Sequence, residues 1–121
     1  KTNKNINLPR YNNNDSYFVF QILLKKKSDK LFLMKQFKKF EIGVSVHYGT
    51  PLPLMTYYKK KYEIKKRDYV KSKNYGDRVL SLPVYPKLKN KEIDYISKLI
   101  NKYTNWWKFY LQVEMVLLGT I

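Results

Sequence analysis

One stretch carries the residue types that could do chemistry: Val44-Ser45-Val46-His47-Tyr48, followed by the stiff loop Pro51-Leu52-Pro53-Leu54-Met55. His47 is the only histidine in the chain, and imidazole is the side chain that changes charge or trades hydrogen bonds near neutral pH. A hydrolytic triad would have to be assembled around it, with Ser45 two residues away on the same strand face. No serine sits in a nucleophile-elbow sequence, however. A metal site needs several histidines, cysteines or clustered carboxylates, and the chain has no cysteine and nine scattered acidic residues. A phosphate-cradling loop needs closely spaced glycines, whereas Gly43, Gly49, Gly76 and Gly119 lie far apart. No lysine occupies the apolar strand-end setting that would single out a nucleophile. The pattern points to a binding surface at His47, with a structural ring bonded to backbone as the alternative.

Positioning that stretch requires strands and helices around it. Alternation of Val44, Val46 and Tyr48 with Ser45 and His47 predicts a short strand, with the valines on one face and the histidine on the other. Tyr17 to Leu24 is nearly continuous in aromatic and branched residues, which predicts a strand buried on both faces. Ser28 is a candidate helix cap, with Asp29 at the positive end of the dipole. Leu33, Phe37 and Phe40 then follow at helical spacing. Gly43 is expected to turn the chain out of that helix. Short helices are expected over Met55 to Tyr62 and over Val70 to Tyr75, the second stopped by Gly76, with Lys65 to Asp68 as a solvated loop between them. Arg78 to Leu82 is a strand that Pro83 ends. From Lys91, with Asn90 as cap, Ile93, Ile96, Ile100 and Tyr103 mark one face of a longer helix. The order predicts an α/β (α+β) fold: a small, mostly antiparallel sheet of about three strands with helices packed on it. Residues 1–16 read as an asparagine-rich lead-in loop, 17–103 as the domain and 104–121 as a separate tail. The tail alternates apolar and polar residues from Trp107 to Leu117, which suggests an extra strand that covers apolar surface or docks a partner. A third reading is a segment read past the end of a decayed gene.

Composition bounds the rest. A chain of 121 residues fits one domain. The absence of cysteine fits a reducing, cytoplasmic setting. No apolar run approaches the ~20 residues of a membrane span. The chain begins at Lys1, not at methionine, as expected of a processed product or a piece of something longer. Its net charge of +16 is carried by lysine, with Arg10, Arg67 and Arg78 the only arginines. Lysine runs at Lys25 to Lys27, Lys59 to Lys61 and Lys65 to Arg67 leave open a free-standing basic module for nucleic acid or another polyanion. Phosphate and base readers favour the forked arginine side chain, though. The abundance of Lys, Asn, Ile and Tyr matches AT-rich coding.

The His47 stretch also carries a resemblance. Val44-Ser45-Val46-His47-Tyr48 with Pro51-Leu52-Pro53-Leu54-Met55 and Tyr57-Tyr58 resembles the V-H-Y-x-x-P-L-x-L loop of the DegT/DnrJ/StrS-type sugar aminotransferases. Arg78-Val79-Leu80-Ser81-Leu82-Pro83-Val84-Tyr85-Pro86 is similar to that family's R-x-L-S-L-P-x-[YF]-P block, and Glu92-Ile93-Asp94-Tyr95-Ile96 to its E-[IV]-D-Y-[VI] helix start. Tyr17 to Leu24 resembles the strand that opens its C-terminal small domain. The likeness implies the small-domain portion of a pyridoxal-phosphate (PLP) enzyme acting on nucleotide-linked keto sugars. The large domain, which carries the Schiff-base lysine, the aspartate facing the pyridine nitrogen and the phosphate-binding groups, is not in this sequence. The implied partners are a sugar-nucleotide substrate and a large domain or second chain. The implied substrate-binding residues are His47, Tyr48, Pro51 and Leu54, with His47 donating to a phosphate or hydroxyl and Tyr48 packing on the sugar or base. Two departures stand out: Pro53 occupies a position where the family often has a second histidine, and the tail after Tyr103 has no counterpart.

Overall fold

The computed structural model describes residues 3–105. Among them three short strands, β1 (Ile6–Asn7), β2 (Phe20–Leu24) and β3 (Val79–Leu82), form one antiparallel sheet in the order β1-β2-β3. Four α-helices, α1 (Lys27–Lys39), α2 (Thr56–Lys61), α3 (Val70–Arg78) and α4 (Asn90–Thr104), complete the α/β arrangement, with 3₁₀ turns at Leu52–Leu54 and Lys66–Tyr69. Ile22 and Leu24 of β2, Leu33 and Phe37 of α1, Leu80 of β3, and Ile96, Leu99 and Ile100 of α4 form the core. No helix of the described residues is long and apolar enough to cross a membrane.

The third strand is not the expected one. The asparagine-rich lead-in supplies β1, with Ile6 opposite Leu24 and Asn7 opposite Leu23. Ile6 packs against the core, and Asn3 and Asn5 tie this edge to the end of α4. The Asn3 amide donates to Asn101 Oδ1 and Thr104 Oγ1, each at 2.8 Å, and the Asn5 amide to Asn105 Oδ1 at 2.7 Å. The Val44–Tyr48 stretch forms only a single bridge to β3. Ser45 N donates to Ser81 O at 3.2 Å and Ser81 N to Ser45 O at 2.8 Å. Val44 and Val46 do turn toward the core as the alternation requires. β2 is shorter than its apolar run, since Tyr17 has a left-handed backbone (φ 47°) and Phe18 is exposed. Only Ile22 and Leu24 of the strand are fully covered, so it is buried on one face.

Helix ends explain the other differences. α1 begins at Lys27 after Lys26, two residues earlier than Ser28 capping would place it, and Asp29 lies in its first turn. It stops in a Schellman turn: Ile42 N donates to Phe37 O at 3.0 Å and Glu41 N to Lys38 O at 3.3 Å. The left-handed residue is Glu41 (φ 56°), not Gly43. α3 runs through Gly76 to Arg78, and the expected loop at 65–68 is wound into a 3₁₀ turn. α4 starts one residue earlier than an Asn90 cap would give, with the Glu92 carboxylate accepting from Lys89 N at 2.7 Å. The strand expected in the tail lies outside the described residues.

Candidate functional site

A row of polar residues crosses the sheet beneath His47. Gln21 of β2 and Ser81 of β3 are register partners, and Ser81 is in turn bridged to Ser45. Directly paired residues share a face, so the three side chains stand side by side against the histidine. Ser81 Oγ lies 2.9 Å from His47 Nδ1, and Ser45 Oγ lies 3.4 Å from the same nitrogen. The Gln21 side-chain amide donates to the His47 carbonyl, and its Oε1 accepts from the Tyr75 hydroxyl at 3.1 Å. Ser81 is 3% exposed and His47 half-buried. No carboxylate bonds the ring among the described residues, so the geometry is not that of a triad. Nor do three or more His, Cys, Asp or Glu of the described residues cluster as a metal site.

His47 stands between two clefts. One, of about 670 Å³, runs past Phe18, Ile42, Ser45, Ser81, Tyr85 and Tyr95. The other, of about 780 Å³, is lined by Tyr48, Thr50, Pro51, Leu52, Lys71 and Tyr75 together with His47. Three of the sequence-derived candidates, His47, Tyr48 and Pro51, thus meet on one cleft. Leu54 does not join them. It lies on the far side of the 3₁₀ turn, in a groove with Thr56, Lys59 and Glu63. The His47 and Tyr48 rings meet edge to face at 5.3 Å.

The loop carrying these residues is seated on α3 through Gly76. A Cβ there would fall 2.1 Å from Gly49 O and 2.9 Å from Tyr48 O, so only glycine admits this contact. Behind it Lys30, 6% exposed, donates to Gly76 O at 2.8 Å. Burial pushes the Lys30 ammonium below its ordinary value, and the nearby Asp77 charge partly opposes that. Asp77 pairs with Lys73 and, at 3.7 Å, with Lys27. The hydrogen bond from Lys73 holds its carboxyl below the usual range. Sequence reasoning missed Gln21, Ser81, Tyr75 and the role of Gly76. The first two had a signal, since each is the lone polar residue in an apolar strand.

Comparison with known proteins now decides the lineage. A model of the DegT/DnrJ/EryC1/StrS aminotransferase family matches residues 2–101. The chain belongs to this family. The match includes the lead-in that supplies β1. SpsC of Bacillus subtilis (strain 168), a spore coat polysaccharide biosynthesis protein, is 31% identical over 87 residues, covering 69% of this chain and 22% of that protein. Among solved structures, the apo form of Spr1654 from Streptococcus pneumoniae, assigned as a sugar aminotransferase, superposes with a TM-score of 0.76 at 21% identity. The overlap covers 89% of this chain and 28% of that one. Helicobacter pylori PseC, an aminotransferase involved in pseudoaminic acid biosynthesis, gives 0.60 at 21% identity, covering 72% and 23%. At these identities the structures establish the fold alone. The chain spans about a fifth of the length of the curated relatives it matches.

PLP is the cofactor this family implies, and Spr1654 has been solved in a PLP form. The two clefts at His47 do not fit it. The first contains Glu41 and Glu92 but no lysine, and the second a single exposed lysine, Lys71, with no carboxylate. Neither holds both the amine that bonds the cofactor and the acid that pairs with its ring nitrogen.

Proposed function

We propose that this chain is the small-domain portion of a PLP-dependent aminotransferase acting on nucleotide-linked keto sugars, and that alone it does not transaminate. The observation that carries this reading is the family match over 2–101 in a chain that spans only 22% of SpsC. The cofactor chemistry then belongs to a large domain, continuous with this segment or supplied by a second chain, in a cytoplasmic enzyme. His47, Tyr48 and Pro51 form one wall of the sugar-nucleotide pocket, and Leu54 buttresses the turn behind them. In that role the imidazole gives a hydrogen bond to a substrate oxygen, and Tyr48, 75% exposed here, covers the sugar or base. The test is His47→Ala in this segment joined to the family's large domain. Loss of one neutral hydrogen bond, about 0.5–1.5 kcal/mol, raises KM roughly 2- to 10-fold with kcat retained. An unchanged kcat/KM would exclude the contact.

A second reading, a basic module for single-stranded nucleic acid, has one observation in its favour. Tyr57, Tyr58 and Tyr62 form a ladder of rings beside Lys59, Lys60 and Lys61 on α2, with Tyr57 and Tyr62 more than 60% exposed. Exposed rings among cations are a stacking platform. Lys61 already sits over Tyr57 and Tyr62, at 5.5 and 5.4 Å from their centroids, which favours an ordinary solvated face. Tight oligonucleotide binding that falls steeply with salt would support the module. Weak, salt-insensitive binding would exclude it.

A further inference from the structure

We propose that Ser81 is a positioning residue that fixes the proton of His47. Its hydroxyl donates to Nδ1 and so holds the imidazole as a neutral Nε2–H donor at the junction of the two clefts. Ser81 is 3% exposed, and the one hydrogen bond found for its Oγ among the described residues is the 2.9 Å contact to His47 Nδ1. A hydroxyl carries one proton and must place it. If Nδ1–H donated to Ser81, the serine proton would need a second acceptor, and no other hydrogen bond of that hydroxyl is found among the described residues; a buried donor left unpaired costs about 1–3 kcal/mol. If Ser81 donates, both groups are satisfied and the ring proton resides on Nε2. Ser45, 3.4 Å from Nδ1, lies on the exposed side and has solvent as an alternative partner.

The backbone enforces this pairing. The two bridge bonds between residues 45 and 81 set the separation of the segments, and the Gln21 amide clamps the His47 carbonyl. Nε2, on the opposite edge of the ring, has no hydrogen-bond partner among the described residues. A neutral Nε2–H selects an acceptor oxygen, such as that of a phosphate, and discriminates against a donor. The functional part of this inference rests on His47 being a substrate contact, whereas the proton placement does not.

The single histidine makes the test clean. Nitrogen NMR of the 121-residue chain, at a pH where the ring is neutral, reports the tautomer directly. The expected result is one form, with the proton on Nε2, giving way to a mixture in Ser81→Ala and kept in Ser81→Thr. A proton on Nδ1 in the unmodified chain, or a tautomer indifferent to Ser81→Ala, overturns the assignment. The unmodified chain decides the first point whether or not the variants fold. In the segment joined to a large domain, Ser81→Ala is expected to raise KM several-fold with kcat held. If His47→Ala moves KM and Ser81→Ala does not, the positioning role fails while the pocket reading stands. If neither moves KM, the pocket reading fails.

Discussion

Gly76→Ala is the sharpest structural test, because two opposed effects have known sizes. At an exposed helix position alanine is favoured over glycine by about 1 kcal/mol. In α3 the added methyl would lie 2.1 Å from Gly49 O and 2.9 Å from Gly49 C and Tyr48 O. Real contacts of this kind do not fall below 3.0 Å, so the loop must retreat by roughly 1 Å. The atoms in the way are backbone, which no rotamer change moves aside. Overpacking of this kind costs about 1–3 kcal/mol, occasionally more. Because backbone atoms block the way, the upper end of that cost applies, and after the helix gain the expected net effect is destabilisation by about 2 kcal/mol, read from urea unfolding midpoints at constant m-value. Shifted His47 resonances are expected as well, since residues 48 and 49 rest on the same contact. Gly43→Ala is the control. A Cβ at Gly43 meets nothing within 4 Å and its backbone is not left-handed, so alanine there should be neutral or stabilising by about 0.4–1 kcal/mol. A Gly76→Ala chain as stable as the unmodified one would refute the seating of the loop on α3.

Other consequences concern the charged cluster behind that contact. The Asp77 carboxyl is held below its ordinary value of 3.8, so the unfolded chain takes up the proton first. Its contribution is complete above that value and is lost as pH falls through the folded one, and Asp77→Asn should flatten this acid limb in unfolding measured against pH. Lys30 has the opposite sign. Its folded value lies below the ordinary 10.5, so stability rises with pH between the two, and that slope should vanish in Lys30→Met. At pH 7 the same variant leaves Gly76 O unpaired, a cost of about 1–3 kcal/mol. Relief from burying a charge offsets part of it, so a net loss near 1 kcal/mol in urea is expected.

The sequence made the core elements legible and the edges illegible, for physical reasons. Ile96 and Ile100 recur at helical spacing because one face of α4 is buried, and that pattern survives in any context. Periodicity reports burial, however, not hydrogen bonding. Val44 and Val46 alternate as a strand would because they face the core, yet their backbone makes only one bridge. Conversely, Ile6–Asn7 pairs with β2 through backbone groups that leave no trace in a two-residue strand, too short to show an alternation. The run from Tyr17 to Leu24 looked buried on both faces because aromatic residues carry the same signal whether covered or not, and Phe18 is exposed. Gly76 looked like a helix stop because a glycine needed for close approach is indistinguishable in sequence from one needed for a turn. At the site, His47 was visible by its type and the family resemblance by ordered motifs. Ser45 was placed beside His47 by the alternation, whereas Gln21 and Ser81 were visible only as isolated polar residues, and the alignment of the three in one row depends on a strand register that no local pattern encodes.

If these residues carry the fold of a sugar aminotransferase small domain and not its cofactor chemistry, the isolated chain does not transaminate. The decisive experiment adds PLP and an amino donor to the 121-residue chain and follows the cofactor's visible spectrum. The expected result is no sustained turnover of donor, with at most the slow, non-specific reaction that any lysine-rich surface gives. A protein-bound band that cycles repeatedly between its forms as donor and keto acceptor are supplied in turn would contradict it.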